Sequence, residues 1–133
     1  MTKRIIDANL NRLREGIRVV EDISRYVYED QDISSRLKAL RHKTQIDIPS
    51  SILLQNRDIQ NDPCKKTTKS ESLRSSLQDI ITANFKRAQE ASRVLEEVLK
   101  LEFVQYSQIF KEIRYELYDI DKSYTLKYQA QSL

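Results

Sequence analysis

Residues 8–22 and 83–97 carry one sequence twice, at an offset of 75 residues with no gap. Seven of the fifteen positions are identical: Ala8/Ala83, Asn9/Asn84, Arg12/Arg87, Glu15/Glu90, Arg18/Arg93, Val19/Val94 and Glu21/Glu96. Five of those seven are polar. A repeat that served only a core is expected to keep its apolar residues best. This one keeps Asn, Arg and Glu, so it repeats either a ladder of surface ion pairs or a site.

The apolar residues around the repeat set its local structure. Ile6, Leu10, Leu13, Ile17, Val20 and Ser24 follow steps of four and three. Ile81, Phe85, Ala88, Ser92, Leu95 and Leu99 follow the same steps at the same offset. That spacing lines one face of a helix. A second helix is predicted through Ile33, Leu37, Leu40 and Thr44, with Asp32 as its N-cap and a stop before Pro49. A fourth carries Tyr106, Phe110, Ile113, Leu117, Ile120 and Tyr124. Thr68 and Glu71 have the spacing of a capping box ahead of the third helix. The second and fourth helices echo each other at an offset of 73, Leu40-Arg41-His42 against Ile113-Arg114-Tyr115.

The expected fold is therefore all-α: a four-helix bundle made of two duplicated helical hairpins. Repeat one covers about 4–48 and repeat two about 71–124 of a single domain. The long loop 49–70 joins them, anchored by its apolar run Ile52-Leu53-Leu54. A loop of that length is expected to be functional. From about Ser123 the polar end is expected to fray.

Composition narrows the function classes. One glycine, Gly16, leaves no phosphate-cradling loop of the Walker or dinucleotide type, so phosphate recognition falls to side-chain cations and helix N-termini. Net charge is +3 from 23 basic and 20 acidic residues intermixed along the chain, which is not the pattern of a nucleic-acid binder. The basic cluster Lys65, Lys66, Lys69 and Arg74 reads as a solvated loop or a phosphate contact. A single cysteine, Cys64, together with no apolar leader and no run of transmembrane length, fits a cytoplasmic protein off the membrane. His42 has no Ser, Cys or metal-ligand arrangement around it in the sequence.

The repeated polar residues have a structural reading. Arg12 with Glu15, Glu15 with Arg18, and Arg18 with Glu21 or Asp22 are i,i+3 and i,i+4 pairs. Each such pair contributes ~0.2–0.5 kcal/mol on an exposed helix. They also have a functional reading, because ladders tolerate Lys for Arg, whereas forked recognition of phosphate does not.

The string Asp7-Ala8-Asn9-Leu10-Asn11-Arg12, Arg14-Glu15-Gly16, Arg18-Val19 and Glu21 resembles the short, alternative hydroxymethylpyrimidine-phosphate kinases of thiamine biosynthesis. The same domain occurs fused in front of thiamine-phosphate synthase. The resemblance continues at Arg57-Asp58, through Ala83–Glu97, and at Phe110-Lys111, Ile113-Arg114-Tyr115 and Tyr118, covering roughly residues 4–122. It departs at Ile59-Gln60-Asn61-Asp62-Pro63, where the relatives carry a glycine.

The resemblance implies ATP-dependent phosphorylation of hydroxymethylpyrimidine phosphate to its pyrophosphate, with Mg²⁺. It implies Arg57, Arg12/Arg87 and Arg18/Arg93 as phosphate contacts. Asp58, Glu15 and Glu90 are the implied metal ligands, and Asn9 and Asn84 either bond the pyrimidine edge or orient an arginine. Outward Glu15 and Glu90 suggest a homo-oligomer. Thiamine-phosphate synthase is the expected partner of the alternative reading, a non-catalytic docking module. A plain helical interaction protein is the third reading.

Overall fold

A computed structural model describes residues 1–66 and 73–129. Among them the chain forms five α-helices: α1 (Lys3–Tyr26), α2 (Gln31–Lys43), α3 (Ser50–Gln55), α4 (Leu77–Val98) and α5 (Ser107–Tyr124). A 3-10 turn, Val104–Tyr106, leads into α5, and a π-helical turn, Thr125–Gln129, follows it.

The expected apolar stripes are the core. Every stripe residue of α1 and its mirror in α4 is buried, as are Ile33, Leu37 and Leu40 of α2 and Phe110, Ile113, Leu117, Ile120 and Tyr124 of α5. Tyr106 lies in the 3-10 turn instead, half-buried against the core. α1 packs on α2 and on α4, α4 on α5, and α2 on α5, which closes the four long helices around one core.

A close approach of α1 and α4 explains the only glycine. A Cβ at Gly16 would lie 3.0 Å from the Asn84 carbonyl oxygen and 3.4 Å from the Ala88 Cβ. The mirror position is Ala91, which is buried and keeps its methyl group. The two long helices thus meet where Gly16 faces Asn84 and Ala88. Small side chains bring helix backbones this near.

Four expectations are corrected. The N-cap of α2 is Asp30, two residues before Asp32: Asp30 Oδ1 accepts from the Ile33 amide at 2.9 Å, and Asp32 lies in the first turn. The reason is the corner before it, where Glu29 adopts φ 51° and turns the chain out of α1. The loop from 49 is not all irregular. Pro49, with φ −56°, sets up α3, and Leu53 is buried beneath it. α4 starts with Ser76, whose hydroxyl accepts from the Asp79 amide at 3.1 Å. The Thr68–Glu71 capping box lies outside the described residues.

The last correction is the chain end. Up to residue 129 it is docked rather than frayed. Lys127 Nζ donates to Asp30 Oδ2 at 2.7 Å and the Tyr128 hydroxyl donates to the same oxygen. The Tyr128 ring packs on Tyr28 and Tyr124, at centroid distances of 4.1 and 4.9 Å. Burial alone would raise the Asp30 carboxyl. The bonds from Lys127, Tyr128 and the Ile33 amide more than offset it and bring it to about 2.

Candidate functional site

The first turns of α1 carry a row of residues that the core does not use: Arg4, Ala8, Asn11 and Arg12. The segment after α3 folds back over this row. Between them lies a cleft of about 550 Å³, walled by α1 and by residues 57–63.

Two contacts hold the loop there. Arg57 forks onto Asp7 of α1, Nε to Oδ2 at 2.7 Å and Nη2 to Oδ1 at 2.6 Å. Asp7 is 5% exposed, so a buried carboxylate is neutralised in the bidentate geometry that only arginine provides. These bonds also raise the Arg57 pKa. Arg4 Nη2 donates to the Asp58 carbonyl oxygen at 2.8 Å.

The loop then makes its own turns. Asp58 accepts from the Asn61 amide at 3.0 Å and from Asn61 Nδ2 at 2.7 Å. Asp62 Oδ1 accepts from the Cys64 amide at 2.9 Å. Such aspartate turns mimic a backbone turn. They answer the missing glycine: no residue of 59–63 has positive φ, so the loop turns without the conformation glycine favours.

The structure sorts the expected site residues. Asn9, Arg12, Arg57 and Asp58 meet at this one cleft. Arg12 is exposed on it and makes no ion pair among the described residues. Asn9 is buried, with its Nδ2 bonded to the Ile5 carbonyl at 2.9 Å. Asn84 makes the mirror bond to Ile80 at 2.8 Å and lies elsewhere, against Gly16. Arg87 is exposed away from the cleft. Glu15 is exposed, near enough for its charge to act on Arg57. Glu90 sits in a separate groove of about 320 Å³ with Lys86, Gln89, Arg93 and Tyr118.

Arg18 and Arg93 have a different place. Arg18 faces Glu21 at 4.0 Å and Asp22 at 3.5 Å; Arg93 faces Glu96 at 3.3 Å and Glu97 at 3.2 Å. Glu21 and Glu96, both buried, are gripped from the neighbouring helix. Arg41 Nε donates to Glu21 at 2.8 Å and Arg114 Nη2 to Glu96 at 3.0 Å. The repeated glutamate is therefore the buried half of an interhelical ion pair, once in each hairpin.

Asp7, Arg41 and Arg114 were not among the expected residues. Arg41 and Arg114 had a signal, since they occupy matching positions in the echo between α2 and α5. Asp7 had none within the repeat, because its mirror is Thr82.

No cluster of three or more His, Cys, Asp or Glu side chains fit to hold a metal occurs among the described residues. Asp58, Glu15 and Glu90 are thus not gathered into one centre. Asp58 and Asp62 do lie in the arginine-lined cleft. That donor set fits Mg²⁺ arriving on a polyphosphate, which needs one or two carboxylates, rather than a protein cage.

The sequence matches the ThiD2 family over residues 4–123. The chain belongs to the ThiD2 family. It is 39% identical over 125 residues to a thiamine-phosphate synthase of Thermosynechococcus vestitus, covering 93% of this chain and 35% of that protein. It is 38% identical over 122 residues to a thiamine-phosphate synthase of Prochlorococcus marinus strain AS9601, covering 89% and 34%. This ThiD2 chain therefore spans about a third of the length of those relatives. No solved structure matches it significantly. Among the described residues no helix is long and apolar enough to cross a membrane.

Proposed function

We propose that this chain works in thiamine biosynthesis as an ATP-dependent kinase that converts hydroxymethylpyrimidine phosphate to its pyrophosphate. One observation carries the reading: Arg4, Arg12 and Arg57 converge on a single cleft with Asn9 and three aspartates, Asp7, Asp58 and Asp62. The nucleophile in such a reaction is a phosphate oxygen, ionised at neutral pH, so no general base is required. What the reaction needs is positioning and neutralisation of two polyanions. The ThiD2 membership and the relation to thiamine-phosphate synthases support a place in thiamine biosynthesis. Mg²⁺ bound with ATP would be met by Asp58 and Asp62. Its chemistry there is charge neutralisation of the transferring phosphoryl group.

The test is incubation with ATP, Mg²⁺ and the pyrimidine monophosphate, with mass spectrometry for the diphosphate. Diphosphate formation that falls at least tenfold in Arg12→Gln supports the kinase. A second reading is favoured by the relatives, in which the matching third belongs to proteins named as synthases. In that reading the chain is a helical module that docks on thiamine-phosphate synthase. No diphosphate, with co-elution of a synthase, selects it. Exposed Glu15 and Glu90 leave a homo-oligomer as part of the proposal; a monomer by light scattering removes that part. A cytoplasmic location goes with either reading.

A further inference from the structure

The two hairpins share Arg12/Arg87 and Arg18/Arg93, yet among the described residues only the first has a loop folded over a cleft. Mirror positions show what differs. Asn9 and Arg12 are kept as Asn84 and Arg87, so the repeated polar pair alone does not make a site. Arg4 is replaced by Asp79, which accepts from the Ser75 hydroxyl at 2.6 Å beside the N-cap of α4. Asp7 is replaced by Thr82, which is exposed. The first hairpin alone thus carries the cation that holds the Asp58 carbonyl and the buried anion that holds Arg57.

We propose that Asp7 is the positioning residue of a phosphate-binding cleft, and that the chain therefore carries one such cleft, in its first half only. Asp7 takes two of the five guanidinium donors of Arg57, Nε–H and one of Nη2, and leaves three. A guanidinium fixed on one edge presents its other edge in one orientation. Arg57 remains 40% exposed, so that edge is open to the cleft. The occupant is a small phosphate monoester of an aromatic ring: Arg57, with Arg12 beside it, takes the phosphate. Ile5 and Ile59, both exposed and both lining the cleft, offer the apolar surface for the ring.

Two opposed effects make the idea testable by sign. Removing the Asp7 charge makes the cleft more positive, which by itself strengthens anion binding. Removing the fork frees Arg57, which weakens it. Positioning predicts that the second effect wins.

This inference rests on the reading of the cleft as a phosphate site, and is tested by binding alone, without turnover. Calorimetric titration of the full chain with the pyrimidine monophosphate should give one site per chain. Asp7→Asn should weaken that binding at least tenfold while circular dichroism shows the helices intact. Arg57→Gln should weaken it similarly, and in the Asp7→Asn background should cost less than twofold more. Lys86→Gln, in the groove of the second hairpin, should change neither affinity nor stoichiometry. Two sites per chain, stronger binding in Asp7→Asn, additive losses in the double variant, or no binding by the full chain each overturn the inference. One-site binding with these losses but no diphosphate formed leaves it standing and removes the kinase reading.

Discussion

The inner ends of the two hairpins are alike and the outer ends are not. Inside, Glu21–Arg41 and Glu96–Arg114 clamp α1 to α2 and α4 to α5 at matching positions, each flanked by the i,i+3 arginine Arg18 or Arg93. Outside, Arg4 and Asp7 bind a returning loop in the first hairpin, while Asp79 serves a helix cap in the second. The lesson is that a repeated polar residue in a duplicated fold is first a candidate for holding the duplicated contact. The candidate site lies where the repeat breaks.

That comparison can be broken most forcefully at the clamps. Arg41→Met and Arg114→Met each leave a buried glutamate without its interhelical partner. Each should lower the unfolding free energy in urea by about 3 kcal/mol. Equal losses within about 0.5 kcal/mol of each other support equivalence; a large inequality would show that one hairpin depends on its clamp and the other does not.

A smaller effect is expected at the crossing of the long helices. Gly16→Val drives methyl groups into the Asn84 carbonyl and should cost about 2 kcal/mol in the same urea measurement. Ala91→Gly, the mirror change, should cost about 1 kcal/mol through lost helix propensity. If Gly16→Val were neutral, the close approach would not be the reason for glycine there.

The pH dependence sharpens the comparison at the corner that only the first hairpin has. The Asp30 carboxyl is depressed to about 2 in the folded chain. Its contribution is therefore complete above the unfolded value, near 4, and is lost as pH falls from there towards 2. Asp30→Asn should flatten that part of the stability–pH curve, measured by thermal melts from pH 5 to pH 2. An unchanged slope would mean that the carboxylate is not the group responsible.

The smallest effect is at Glu29, whose φ of 51° is uncommon for a residue with a Cβ. Glu29→Gly should raise the unfolding free energy by roughly 0.5–1 kcal/mol, because glycine takes this conformation without the steric cost. A loss instead would show that the Glu29 side chain contributes more than the strain removes.

Much of this architecture could be read from one sequence. The stripes of α1 and α4 are long and strictly periodic, so their faces were legible residue by residue, and the duplication made the hairpins legible too. α3 was not, since six residues make less than two turns and show no period. The docked end at Tyr128 was missed because composition there is polar, while its order comes from ring packing on Tyr28 and Tyr124. For the site, the repeat pointed to Arg12 and Asn9 but equally to Arg18 and Arg93, which serve the clamps. No local pattern separates these cases, because the deciding partners, Asp7 for Arg57 and Arg114 for Glu96, lie 50 and 18 residues away.

The bond between Lys127 and Asp30 has a consequence for how the protein is made. Its ends are 97 residues apart, so the corner between α1 and α2 gains its last fastening only after residue 127 has left the ribosome. Until α4 and α5 follow, the apolar stripes of α1 and α2 face only each other. Exposed apolar surface of that kind makes a partly made chain prone to aggregation.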